Sequence, residues 1–293
     1  MTRSLPRPLR LLILLLAVAL TGCNAGARFA YNHLDRLALW KLGDYVTLDA
    51  PQKAAFRREF ASIWTWHRST QLPLYARDLR AFAATLEGGA LQAEQIEAVL
   101  DTAEAHGRRL GQQFLPAAER LLPLMSDEQV RRWRDERREK IERDEAERRD
   151  ETLEQRRKRY IKEQREGLAD WIGKLNPKQL ALIDAAWQAE LPLLRDPGVR
   201  RDERLASLAR YAALLDTRTQ PGLAARIEAF DDGDSPAKAR REAESARGRR
   251  LFVDLMQATD AAQRDKLRRR LLELAEDCEV LAREPASDPA AAS

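Results

Sequence analysis

The sequence predicts an all-α protein, an elongated succession of helices with one long charged helix in its middle. Three observations carry this. Ala, Leu, Arg and Glu dominate and β-branched residues are few, a composition that favours helix. No stretch shows the sustained Val-, Ile- and Thr-rich alternation of a half-buried strand. Four segments have capping-box spacing: Asp49-x-x-Gln52, Ser126-x-x-Gln129, Asn176-x-x-Gln179 and Asp260-x-x-Gln263. In each, the first side chain can accept from a backbone N–H three residues on while the Gln reaches back.

Residues 1–22 have the parts of an export signal. Arg3, Arg7 and Arg10 form a positive start, Leu11 to Leu20 is wholly apolar, and the small residues Thr21 and Gly22 precede Cys23. The apolar run is too short to span a bilayer, which takes ~20 residues. Leu20-Thr21-Gly22-Cys23 resembles the lipobox of bacterial lipoproteins. That resemblance implies cleavage between Gly22 and Cys23 and covalent lipid on the Cys23 thiol. Asn24, rather than Asp, follows the cysteine, which by the same resemblance implies delivery to the outer membrane more than the inner.

Helices are expected over about 28–42, 50–70, from Pro73 to the Gly88-Gly89 stop, and 93–114, with a short helix bracketed by Pro116 and Pro123. Residues 131–166 hold fifteen bases and twelve acids, too many of both signs for an ordinary amphipathic helix. Opposite charges recur at i,i+4, as in Arg132/Glu136 and Glu154/Lys158, each such pair contributing about 0.2–0.5 kcal/mol. A single helix over 127–173 would extend about 70 Å at ~1.5 Å per residue, a solvated strut, one side of a hairpin, or an electrostatic docking surface. Its sparse apolar residues do not sustain a heptad. Amphipathic helices follow at about 178–190, 200–217, 221–230, 236–257 and 261–283, broken at Pro192, Pro197-Gly198, Pro221-Gly222 and Asp231-Asp232-Gly233-Asp234. The expected organisation is a signal at 1–22, an aromatic-rich helical part at 23–125, the charged helix at 126–175, a second helical part at 176–284, and a disordered tail at 285–293.

The formal charge of +4 owes three arginines to the signal; without it 48 bases face 47 acids. Export and near-neutrality together exclude nucleic acid as an expected partner. With Cys23 lipidated, Cys278 is the one remaining thiol, so no internal disulfide can form. It is expected as a small buried residue on a late helix.

Ten of the eighteen aromatic residues fall between Phe29 and Phe82, along with His33 and His67. Tyr31, Trp40, Tyr45, Trp64, Trp66, His67 and Tyr75 are the candidate binding residues. They could line a packed core, a ligand or peptide groove, or a face against the membrane, where Trp and Tyr are favoured. His33, Asp35, Asp44 and His67 have the side chains zinc accepts, although an Asp–His pair bracing the helices uses the same residues. His106 is expected to be exposed.

Tyr31-Asn32-x-Leu34-Asp35-x-Leu37-x-x-Trp40, with Asp44-Tyr45-Val46, Trp66-His67-Arg68 and Leu72-Pro73-x-Tyr75-Ala76, resembles an uncharacterised lipoprotein family of Gram-negative bacteria, a domain of unknown function. The resemblance implies topology and helicity but no activity. More loosely, Leu48-Asp49-x-x-Gln52, Met125-Ser126-x-x-Gln129 and Leu175-Asn176-x-x-Gln179 are similar to the Leu-Thr-x-x-Gln motif of periplasmic helical chaperones, but without its Thr. Ser62, Ser126 and Ser207 lack the nucleophile-elbow context, and neither a His-Glu-x-x-His motif nor a phosphate-binding glycine loop occurs. The expected function is therefore that of a non-enzymatic, membrane-anchored envelope protein that binds another envelope component or an unfolded chain. Beyond the lipid on Cys23, no cofactor is expected. A chaperone and, further off, a metal- or His/Asp-dependent enzyme are the alternatives.

Overall fold

The computed structural model describes residues 24–194, 197–230 and 236–284. The signal with Gly22 and Cys23, the Asp231–Asp234 break and the tail at 285–293 lie outside them. The described residues are an elongated all-helical assembly without strands. In chain order the helices are α1 (Asn24–Asn32), α2 (Leu34–Gly43), α3 (Ala50–Trp66), α4 (Leu72–Thr85), α5 (Ala93–Leu121), α6 (Asp127–Arg149), α7 (Leu153–Ile172), α8 (Pro177–Glu190), α9 (Pro197–Asp216), α10 (Leu223–Ala229), α11 (Pro236–Gln257) and α12 (Ala261–Arg283).

The spine is an antiparallel pair, α4 against α12. Leu72, Ala76, Leu79, Ala83 and Leu86 alternate four- and three-residue steps, and so do Leu267, Leu271, Leu274, Cys278 and Leu281. That spacing keeps one seam facing a partner helix. Leu72 and Ala76 share a core with Cys278 and Leu281, whereas Ala83 and Leu86 share one with Leu267 and Leu271, so the helices run in opposite directions. Arg80–Glu279 (2.8 Å) and Arg268–Glu87 (2.5 Å) flank the seam. The first core adds Tyr31, Leu34, Phe60 and Trp64; the second adds Ile96, Leu168, Ile172, Ile183 and residues of α11. The parts expected at 23–125, 126–175 and 176–284 thus share a core.

The four expected capping boxes all form, and they pair with one another. Gln52 and Gln129 exchange side-chain hydrogen bonds (2.9 and 2.8 Å). The Nε2 of Gln52 also donates to Leu124 O (2.7 Å), and that of Gln129 to Thr47 O (2.7 Å). Each carbonyl lies two residues before the opposite cap, giving the contact a local twofold character. A second lock joins α8 to α12: Gln263 donates to Gln179 Oε1 and to Lys174 O (both 2.8 Å), and Gln179 donates to Leu255 O (3.0 Å). Each of these glutamines therefore caps its own helix and ties that helix to another.

Three expected boundaries differ. The charged segment is two helices rather than one. Thr152 makes an unexpected capping box with Gln155 (Gln155 N to Thr152 Oγ1, 3.2 Å), which restarts the chain after Asp150 and Glu151. Nor is α6 a free strut. It packs antiparallel to α9, where buried Glu145 meets Arg204 (2.9 Å) and Arg200 (3.4 Å), while Arg218 holds Met125 O and Asp127 at the other end. Pro116 lies inside a continuous α5. Pro73 likewise does not open a new helix, because α3 runs into α4 through a π-helical turn, His67–Gln71. The Pro73 ring excludes the usual bond to the Ser69 carbonyl, and the wider turn accommodates the loss. Thr65, Ser69 and Thr70 hydroxyls bond back to carbonyls one turn earlier through the same stretch.

Replacing Gln52 by Ala removes the donor to the Leu124 carbonyl and to Gln129, so urea titration should show a loss of about 1 kcal/mol. The Gln52→Ala/Gln129→Ala double variant should lose less than the sum of the singles by about 1 kcal/mol. Strict additivity would mean that the two side chains act independently.

Candidate functional site

The π-helical turn places His67, Arg68 and Gln71 inside the protein, almost wholly buried. They meet α1 on one side and the end of α12 on the other. The Tyr31 hydroxyl lies 2.8 Å from His67 Nδ1. The His67 ring stacks on Trp64 (centroids 5.1 Å, 6° between planes), and Tyr75 meets it edge-on at 5.5 Å. The Arg68 guanidinium lies 5.0 Å from the Tyr31 ring centroid, bonds Asn32 Oδ1, and donates to the carbonyls of Leu281 (3.0 Å) and Glu284 (3.3 Å). Those carbonyls are the negative end of the α12 dipole, where a cation is stabilised. Asn32 donates to the Glu284 carboxylate (3.0 Å), and Arg28 bonds buried Asp277 (2.7 Å). The first helix is thus bolted to the last by one polar network.

Burial dominates the electrostatics. It lowers the His67 imidazole to about 4, with the adjacent Arg68 charge adding to the effect. It raises the Tyr31 phenol far above its ordinary value, and Arg68 only partly offsets this. Burial also pushes Tyr75 and the Cys278 thiol up to about 12, with Asp277 adding to the rise of Cys278. Near neutral pH these four groups are uncharged; Tyr31, His67 and Cys278 are closed off from solvent and Tyr75 is partly buried. The arrangement can hold helices together, but it offers neither a thiolate nor an accessible base.

Of the predicted binding residues, Tyr31, Trp64, His67 and Tyr75 come together here. Trp66 is half-buried beside them, its ring 6.4 Å from that of His67. Tyr45 is elsewhere, under the Arg137 guanidinium of α6 (3.8 Å). Trp40 is exposed on α2. Three of the four side chains considered for a metal have other partners: His33 bonds Phe29 O, Asp44 bonds Lys41, and His67 meets Tyr31, while Asp35 lies on α2. No group of three His, Cys, Asp or Glu side chains suited to a metal occurs among the described residues. His106, expected to be exposed, is half-buried, 2.8 Å from Asp78 and edge-on to Tyr75. The Asp–His pair is therefore Asp78–His106, not one built on His33 or His67. Cys278 is buried on α12 as expected. Asn32, Arg68, Asp277 and Glu284 were not predicted as site residues. Asn32 and Arg68 belong to the quoted motifs, whereas nothing local marks Asp277 or Glu284.

The model of DUF6279, a family of unknown function, matches residues 44–224, more than half of the chain. The protein is a member of DUF6279. The match covers the π-helical turn, the first glutamine lock and the α6–α9 pair, but not α1, α2, α11 or α12. No curated protein and no solved structure matches the chain. In this DUF6279 protein, then, the polar network joins the family-matched helices to segments on either side of them.

The lowered His67 value predicts a pH effect. Unfolded histidine titrates near 6.5, so between about 6.5 and 4 the unfolded chain binds the extra proton. Stability from this residue is full above pH 6.5 and is lost as pH falls towards 4. His67→Gln keeps an acceptor for Tyr31 but cannot titrate. Its stability loss between pH 7 and 4.5 should be smaller than that of the wild type by about 2 kcal/mol. Equal losses would show that His67 takes up its proton in the folded state as easily as in the unfolded.

Proposed function

We propose that this DUF6279 member is an exported lipoprotein, held at the periplasmic side of a membrane by lipid on Cys23, that binds another envelope component without catalysing a reaction. The observation that carries this is Leu20-Thr21-Gly22-Cys23 directly after a short, wholly apolar run. Asn24 after the cysteine favours the outer membrane. Among the described residues, no helix is long and apolar enough to cross a membrane. The non-enzymatic reading draws support from the buried network: His67, Tyr31, Tyr75 and Cys278, the groups best suited to chemistry there, are neutral and engaged in helix contacts. The chaperone alternative draws less support, because the three motifs behind it are accounted for as capping boxes at Gln52, Gln129 and Gln179.

Labelled palmitate should enter the wild-type protein and not Cys23→Ala, which should move from the membrane to the soluble fraction. Crosslinking the anchored form should then capture a reproducible envelope partner. A cytosolic product retaining Met1 and a free Cys23 thiol would refute the proposal.

A further inference from the structure

We propose that the exposed face of α1 and α2 is a membrane-resting strip, on which Phe29, Leu37 and Trp40 enter the headgroup region of the bilayer that holds the Cys23 lipid. This rests on the lipoprotein reading above and adds the orientation of the body. Phe29, His33, Leu37 and Trp40 follow one another at steps of four, four and three residues. The helical bonding continues across the α1–α2 junction, with His33 N donating to Phe29 O and Leu37 N to His33 O (both 3.1 Å). These side chains therefore lie along one face. Tyr31 and Leu34, on the other face, are in the core.

The exposed face is unlike the rest of the described surface. Phe29 is 65 %, Leu37 42 % and Trp40 71 % exposed. Phe29 and Trp40 are the two aromatics among the large exposed apolar side chains of the described residues; the others are Leu or Val on separate elements. A helix with its inner face packed on a body and a Phe/Leu/Trp stripe outside has the form of an interfacial helix. Trp favours that depth. Exposed Arg36 flanks the stripe, with an apolar stem and a charged head suited to lipid phosphates, while Lys41 on the other flank is paired with Asp44 (2.7 Å).

Chain length selects the occupant. Arg28 is fixed by its ion pair with buried Asp277 and lies five residues after Cys23. Five residues span about 17 Å when fully extended, and about 8 Å at helical rise. With α1 already helical from Asn24, an anchored Cys23 leaves no linker on which the body could stand away. The stripe is the first apolar surface the bilayer meets.

To test the strip separately from native lipidation, the mature chain from Cys23 can be coupled through that thiol to a maleimide lipid. The vesicles are phosphatidylethanolamine and phosphatidylglycerol with brominated acyl chains. Cys278 is fully buried, so coupling is directed to Cys23. Bromine should quench part of the tryptophan emission, and Trp40→Phe should shrink the quenched fraction at least about threefold. Phe29→Ser/Leu37→Ser should reduce quenching while retaining Trp40. Equal quenching of wild type and Trp40→Phe would overturn the proposal. So would a concentration-dependent blue shift of Trp40 without vesicles, which would assign the face to a second copy. Absence of palmitate on the native protein, by contrast, would refute the anchor and leave this measurement standing.

Discussion

Arg68 at the carboxyl end of α12 is the contact on which the placement of the N-terminal helices depends. A guanidinium buried this deeply is costly unless its hydrogen bonds and charge are met. Here the two terminal nitrogens are met by two carbonyls at the end of α12 and by Asn32, with the face of Tyr31 alongside, while the buried Nε has no hydrogen-bond partner. Each of those partners belongs to a segment that needs anchoring. α1 is nine residues long, too short to persist as a helix in water by itself. Its stability must come from Tyr31 and Leu34 in the core and from the Arg28 and Asn32 bonds to α12. Removing Arg68 would free the two helices from each other rather than simply delete one hydrogen bond.

The local rules of helix starting were legible in the sequence, and their tertiary use was not. Asp49, Ser126, Asn176 and Asp260 are good caps wherever they occur, because capping involves residues three apart. That Gln52 would also find Gln129 across 77 positions has no local signal. Proline misled in the opposite direction. Pro73 and Pro116 mark boundaries by local sterics, but packing on both sides keeps the helix running through each. The heptad seam of α4 and α12 was hidden by its composition, since Ala76, Ala83 and Cys278 are small and do not form a visible apolar stripe. In the charged segment, Thr152 and Gln155 are a lone cap signal inside long runs of helix formers.

The candidate site was half legible for a related reason. Aromatic enrichment over Phe29–Phe82 located it, and Tyr31, Trp64, His67 and Tyr75 do converge. Enrichment cannot separate the buried from the exposed, however, and it grouped Trp40 with residues on the opposite face of the same helical stretch. The other half of the network comes from α12, more than two hundred residues away, where Asp277 is buried for the sake of Arg28. One segment thus has two unlike faces, an inner face that fixes the fold and an outer face that exposes Phe29, Leu37 and Trp40.

If Cys23 carries the proposed lipid, a pull on that anchor would pass through α1 into the core. Hydrogen–deuterium exchange of the full chain tests this most directly. The amides of residues 29–42 should be protected to nearly the same degree as those of α12, because the polar network makes them one cooperative unit. Rapid exchange of residues 29–42 beside a protected α12 would contradict the account: the first helices would then be a loose leash, and the buried network would not hold them.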